Sequence, residues 1–277
     1  MAVAIVTDST GYLPEGLAPA GLTVVPLSVV VDGQAFDEGV GISPAGVAEA
    51  LRRRTSVTTS RVPPARFAAA YQRLAVAGAD EVVSIHLSGD MSGTVDAAEL
   101  AARDAPIPVT VVDSRTVALA LGFAVISACE AAASGASAGD VAAAARHRAD
   151  ASSTLIVVDS LEQLRRGGRI GSAAALLGTA LMVKPILDIR DGVVSLREKQ
   201  RTSARAVARM VELVRGLAGS APADIAVQHC AAADRAGDVA GQLRAALPTG
   251  TVHLVEVGAV ISAHVGLGTV SVAVCPR

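Results

Sequence analysis

Short β-branched runs alternate along this chain with longer Ala-rich stretches in which apolar residues recur every three or four positions. The first kind suits strands buried on both faces and the second suits helices that cover them, so the pattern predicts α/β layers. Ala2 to Val6 reads as an opening strand. It ends in the polar turn Thr7-Asp8-Ser9-Thr10-Gly11, where open α/β sheets expose ligand-binding groups. Leu22 to Val31 is a second β-rich run, leading into an Asp32-Gly33 turn and a polar loop. Ser43-Pro44 supplies an N-cap oxygen and a first-turn Pro for a helix reaching about Arg53. A further helix is predicted from Pro64 through Leu74, with Phe67, Ala70, Tyr71 and Leu74 on one face and Gly78 as its stop.

Val82 to Leu87 is the clearest internal strand, followed by the small polar loop Ser88 to Thr94 and a helix through Arg103. Val109 to Val112 is another strand, and a long helical stretch begins near Thr116. In the Ala-rich segment Ala131 to Ala145, Gly135 and Gly139 are read as separating two helices. A new organisation begins near Ala151, with strand Leu155 to Val158 and a short helix. Arg165-Arg166-Gly167-Gly168-Arg169 then reads as a basic, flexible loop, and Ala173 to Val183 as a helix. Ile186 to Ile189 and Val193 to Leu196 flank Arg190-Asp191-Gly192, a hairpin signal that adds an antiparallel component. Ser203 to Leu217 is a strong helix candidate. Ile225 to Val227, a helix over Arg235 to Leu247, and Val252 to Val257 form a strand-helix-strand unit, and Val270 to Val274 returns as a last strand. The expected architecture is two α/β domains, 1–150 with a mainly parallel sheet and 151–277 with a mixed one.

Composition narrows the functions this layout could serve. Hydrophobic residues make up 51% of the 277 positions and charged residues 18%, enough apolar area to offset the ordering entropy of the chain. Aromatics are only 2%, which leaves little material for stacking on nucleic-acid bases. The 24 basic and 26 acidic residues leave a formal charge of -2, so neither nucleic acid nor an anionic membrane is an expected partner. Cys129, Cys230 and Cys275 are dispersed and form no CxxC pair, which fits buried thiols in a reducing compartment. The opening residues lack a basic segment followed by a cleavable apolar one, and the apolar run Val257 to Pro276 is interrupted by Gly258, His264, Gly266 and Gly268. A cytoplasmic protein without a transmembrane segment is expected. Five dispersed His residues offer no metal-ligand spacing, so no metal is expected.

The most informative polar pattern is Ser88 through Thr94, because hydroxyls and backbone N–H groups between a strand and a helix N-terminus can converge on an anion. Ordinary turn and capping chemistry uses the same residue types. Thr58-Thr59-Ser60 before another helix invites the same two readings. The arginines at 165, 166 and 169 read either as a solvated loop or as a docking surface, and they lack the spacing of an ATP phosphate loop. Read alone, Arg201 is a surface or salt-bridge residue and His264 a structural residue in a Gly-rich loop. Ser92 invites comparison with a nucleophile, but no GxSxG elbow and no informatively spaced His and acid accompany it.

Taken in order, Val6-Thr7-Asp8-Ser9, Thr58-Thr59-Ser60, Ser88 through Thr94, Leu164-Arg165-Arg166-Gly167-Gly168-Arg169-Ile170, Lys184-Pro185-Ile186-Leu187, Lys199-Gln200-Arg201-Thr202 and His264-Val265-Gly266 closely resemble the DegV family over nearly the whole chain. The resemblance implies a two-domain α/β fold holding one long-chain fatty acid in a tunnel between or within the domains. It implies that Thr59 and Ser92 bind the carboxylate through their hydroxyls, with backbone N–H groups of Gly93 and Thr94 as further donors. It places Arg201 and His264 beside that carboxylate as support for phosphoryl transfer when a separate kinase subunit docks, with ATP and Mg on the kinase and no cofactor intrinsic to this chain. Arg165, Arg166 and Arg169 become candidate partner-docking residues, and a phospholipid-synthesis acyltransferase a further partner. Three departures stand out: Gly89-Asp90 within the hydroxyl loop, with Asp90 expected to face solvent or a basic partner; Arg61 at a usual Gln position; and Leu267 at a usual Pro position. An autonomous serine-dependent hydrolase and a regulatory interaction protein are the alternative readings.

Overall fold

A computed structural model describes residues 2–14, 16–176 and 183–277. In chain order, strands β1 (Val3–Asp8), β2 (Thr23–Val25), β3 (Ser28–Val31) and β4 (Gln34–Asp37) precede helix α1 (Pro44–Arg52). Then come β5 (Val57–Ser60), α2 (Pro64–Val76), β6 (Glu81–His86), α3 (Thr94–Ala102), β7 (Val109–Asp113), α4 (Leu119–Ala133) and α5 (Ala138–Asp150). The remainder comprises β8 (Ser153–Val157), α6 (Glu162–Arg166), β9 (Lys184–Arg190), β10 (Val193–Gln200), α7 (Ser203–Ala218), β11 (Ala223–His229), α8 (Ala233–Ala246), β12 (Gly250–Glu256), α9 (Ala259–Val265) and β13 (Val270–Pro276).

These elements form two compact units, Met1–Ser28 with Ser60–Ala151, and Val29–Thr59 with Ser152–Arg277. The expected division into 1–150 and 151–277 differs from this at 29–59, which belongs with the second unit. The reason lies in that segment's bonding: α1 packs on α9, and the buried Glu38 carboxylate accepts the Val260 N–H at 2.9 Å.

In the first unit the sheet order is β2-β1-β6-β7, and every pairing is parallel. Parallel strands need both faces covered. The packed pair α2 and α3 and the packed pair α4 and α5 supply that cover, and β6 is buried from Val82 to its end. Phe67, Ala70 and Tyr71 of α2 point inward as their spacing predicts. Gly135, at φ +84, follows the end of α4 as expected, whereas Gly139 lies inside α5, whose N-cap is Ser137.

The second unit carries a mixed sheet, β10-β9-β8-β13-β11-β12, in which only β11 and β12 run parallel. The amphipathic α7 and α8 pack together on this sheet, burying Met210, Val214, Val239 and Leu243 against Leu155, Ile225 and Val272. The Asp191-Gly192 hairpin between β9 and β10 forms as predicted, with φ +50 and +81.

A small sheet of order β4-β3-β5 differs from expectation. The run from Leu22 to Val31 is broken at Pro26-Leu27 into β2 and β3, which join different sheets, and the residues after Gly33 form β4 rather than a polar loop. Asp32 and Gly33 take φ +51 and +83, the two positive values a tight two-residue turn requires. Ser43 caps α1 as predicted, its Oγ accepting the Gly46 N–H at 3.2 Å. The predicted helix over 173–183 lies partly outside the described residues; its described part is a 3-10 turn, Gly171–Leu176. No described helix is long and apolar enough to cross a membrane.

Candidate functional site

Two polar clusters, one in each unit, hold the hydroxyl residues singled out at Ser92–Thr94 and at Thr59. In the first unit, β6 runs into Ser88–Gly93 and α3 begins at Thr94. Ser92 Oγ and Thr94 Oγ1 are 2.8 Å apart, and Gly93 is the N-cap of α3 without a side-chain capping bond. Gly93 thus gives the first N–H groups of α3 no side-chain acceptor, and the acidic residue of that first turn is Asp96; helix N-termini of this kind stabilise negative charge. The loop itself is tightly held: Ser88 N–H donates to Thr116 O at 2.9 Å, Gly89 N–H to Asp113 Oδ2 at 3.2 Å, and the Met91 and Ser92 N–H groups to Ser88 O. Asp90 is half exposed and lies 3.5 Å from the Arg115 guanidinium, a basic partner of the kind expected for it. Arg61 is exposed, its stem running beside Gly93.

In the second unit, Thr59 near the end of β5 is half-buried and its Oγ1 lies 2.9 Å from His264 Nε2. Burial, reinforced by the positive charge of Arg169, pushes the His264 pKa from 6.5 down to about 4, so the imidazole is neutral at pH 7 and acts as a hydrogen-bonding group. The expectation that His264 sits in a Gly-rich loop is corrected: it lies in the last turn of α9. The pattern Val257 to Val265 is too short and too uniformly apolar to display helical periodicity. Gly167 packs directly against the imidazole, for a Cβ at that position would overlap His264 Nδ1. After α9, Gly266 and Gly268 take φ +78 and +79, and Thr269 Oγ1 donates to Val265 O and Gly266 O. Those bonds hold the turn with Leu267 in place of Pro.

Of the arginines at 165, 166 and 169, Arg165 and Arg166 are the last two residues of α6, not part of a flexible loop. Glu162 explains the helix: it pairs with Arg165 and Arg166, both at 2.7 Å, at i,i+3 and i,i+4 spacing. Those hydrogen bonds hold the Glu162 carboxyl down to about 2. Arg169 is exposed and donates to Gly167 O. Arg201 is exposed between β10 and the Thr202 cap of α7, next to exposed Lys199. A cleft of about 670 Å³ in this unit is lined by Arg52, Asp159, Asp234, Arg235 and Glu256 among others, charges unsuited to an acyl chain.

Sequence reasoning missed one constellation entirely. The turn Thr7 to Thr10, expected to expose ligand-binding groups, is buried. Each polar group is satisfied inward: Thr7 Oγ1 donates to Ile85 O at 2.8 Å and Ser9 Oγ accepts Leu27 N–H at 3.0 Å. Asp8 Oδ2 lies 3.1 Å from His86 Nδ1, His86 Nε2 lies 2.7 Å from Ser84 Oγ, and Tyr71 OH donates to Ser84 Oγ at 2.9 Å. The signal was present as two polar residues, Ser84 and His86, at i and i+2 on one face of β6 among the apolar Val82, Val83 and Ile85. This Ser–His–Asp order does not make a hydrolase centre, because Ser84 and His86 have no exposed surface. Burial also pushes the Tyr71 phenol up to about 12, opposed by its bond to Ser84. Ser92, the candidate nucleophile, is bonded to Thr94 rather than to an imidazole. Among the described residues no group of three or more His, Cys, Asp or Glu is placed to hold a metal ion.

A parallel four-stranded unit followed by a mixed six-stranded one, with hydroxyl clusters at Thr59 and Ser92, defines a class of two-unit α/β proteins. The family model described as "Uncharacterised protein, DegV family" matches residues 2–277, and the chain belongs to that family. A DegV domain-containing protein of Streptomyces coelicolor is 50% identical over 277 residues, covering 99% of both chains. Among solved structures, a fatty-acid-binding DegV family protein from Thermus thermophilus superposes with a TM-score of 0.91 at 34% identity, covering 100% of both chains. DegV, a fatty acid binding protein from Bacillus subtilis, gives 0.92 at 32% identity with the same coverage.

Proposed function

We propose that this chain binds one long-chain fatty acid and presents its carboxylate to a separate ATP-dependent kinase subunit, which forms the acyl phosphate. The carboxylate offers only acceptor lone pairs, so it needs donors. The hydroxyls of Thr59 and Ser92 supply them, with the Gly93 and Thr94 N–H groups adding to the set. The observation that carries this reading is the start of α3, where the half-buried Ser92 and the buried Thr94 pair their hydroxyls beside an N-cap, Gly93, that makes no side-chain capping bond. The acyl tail supplies most of the affinity: at about 0.8 kcal/mol per buried CH₂, roughly 14 methylenes contribute on the order of 10 kcal/mol before ordering costs. The neutral His264 fixes the Thr59 hydroxyl. Arg201, exposed beside Lys199, is the cation available to an incoming phosphate, and Arg169 with Arg165 and Arg166 offers the partner a basic edge partly balanced by Glu162.

Displacement of a fluorescent fatty acid from the delipidated protein tests the binding step. Ser92→Ala and Thr59→Ala should each weaken a long-chain acid by about tenfold, the effect of one lost hydrogen bond to a charged group. Unchanged affinity in both variants would contradict the carboxylate assignment. Acyl phosphate formed with a fatty acid kinase and ATP, and lost in Arg201→Ala at unchanged binding, tests the second step.

A further inference from the structure

We propose that Asp8 is a positioning residue for the Ser92 junction, fixing the point and direction in which the chain leaves β6. Its carboxylate, 1% exposed, receives four donors. Oδ1 takes the Thr10 N–H at 3.0 Å and the Thr10 hydroxyl; Oδ2 takes His86 Nδ1 at 3.1 Å and the Leu87 N–H at 3.0 Å. Asp8 ends β1 and His86 ends the neighbouring parallel β6, so the Leu87 N–H is the first amide beyond the strand. Where the sheet ladder stops, Asp8 takes over. From Leu87 the tethers continue through Ser88 to Thr116, Gly89 to Asp113, and Ser92 to Ser88, delivering the chain to the start of α3.

The contacts form one chain: Asp8 Oδ2 meets His86 Nδ1, His86 Nε2 meets Ser84 Oγ, and Ser84 Oγ accepts from Tyr71. A carboxylate is the group this place demands. An amide of the same shape has one oxygen and one NH₂, so Asp8→Asn turns an N–H against either the Thr10 donors or those of His86 and Leu87. The substitution keeps the packing volume and loosens the origin of the loop.

The inference rests on the fatty-acid reading for its ligand, and one arm of the test does not depend on it. Affinities for oleic acid and for oleyl alcohol are measured on the wild type and on Asp8→Asn, together with amide hydrogen exchange. The acid should bind about tenfold more weakly to the variant while the alcohol stays within about twofold, since the loop contacts the headgroup and not the tail. The amides of residues 87–92 should exchange at least about tenfold faster, with those of α5 unchanged. Equal losses for acid and alcohol, or unchanged exchange at 87–92, would overturn the proposal. Where Asp8→Asn does not fold, His86→Leu removes one donor from the same oxygen and should give the same headgroup selectivity with smaller size; its absence would overturn the proposal equally. If the wild type binds neither ligand, the fatty-acid reading fails and the exchange result alone decides the role of Asp8.

Discussion

His264 Nε2 and Thr59 Oγ1 stand 2.9 Å apart, joining β5 to the last turn of α9 across 205 positions of sequence. Because burial and Arg169 lower the His264 pKa to about 4, the folded protein holds this imidazole neutral where the unfolded chain would protonate it. The unfolded state therefore binds more protons between about pH 6.5 and 4, and stability falls as pH is lowered through that window. His264 contributes its full share above pH 6.5, at most about 3 kcal/mol of which is lost by pH 4. An NMR titration of the His264 ring should find its midpoint well below 6.5, with the ring neutral at pH 7. Arg169→Gln should raise the midpoint while leaving it below the ordinary value, because burial is the larger cause.

Gly167 is required by what faces it. Its φ is -74, which any residue adopts, so the need for glycine comes from the His264 ring lying where a Cβ would go. Gly167→Ala should displace the imidazole, break its bond to Thr59, and cost about 1–3 kcal/mol by denaturant unfolding, the usual range for an overpacked site. The His264 midpoint should move toward its ordinary value in the same variant.

Glu38 holds the other end of α9 through the Val260 N–H. Glu38→Ala leaves that buried donor without its acceptor, at a cost of about 1–3 kcal/mol. Hydrogen exchange should quicken over Ala259–Val265 more than in α7, and uniform quickening would show that the bond has no local role.

Much of the layering was legible because buried parallel strands and amphipathic helices write distinct periods into the sequence. Phe67 and Tyr71, the Ser43 cap and the Asp191-Gly192 turn are local features, and each appears where its residues indicate. What failed to show depended on partners distant in sequence. Glu38 looks like a loop residue until Val260 meets it, and 29–59 looks like part of the first domain until α1 meets α9. Thr7 to Thr10 read as an exposed polar turn because nothing local reveals that Ile85, Leu27 and His86 satisfy it. At the candidate site the motif residues were legible one by one. The bond between Thr59 and His264, and the neutral state it accompanies, required the fold.

Native mass spectrometry of the purified protein, followed by extraction and identification of whatever it carries, tests the central claim most directly. The account predicts one long-chain fatty acid per chain, with occupancy reduced in Ser92→Ala and Thr59→Ala at unchanged fold by circular dichroism. A protein that never carries or takes up an acyl chain, or one whose occupancy is indifferent to both substitutions, would contradict it.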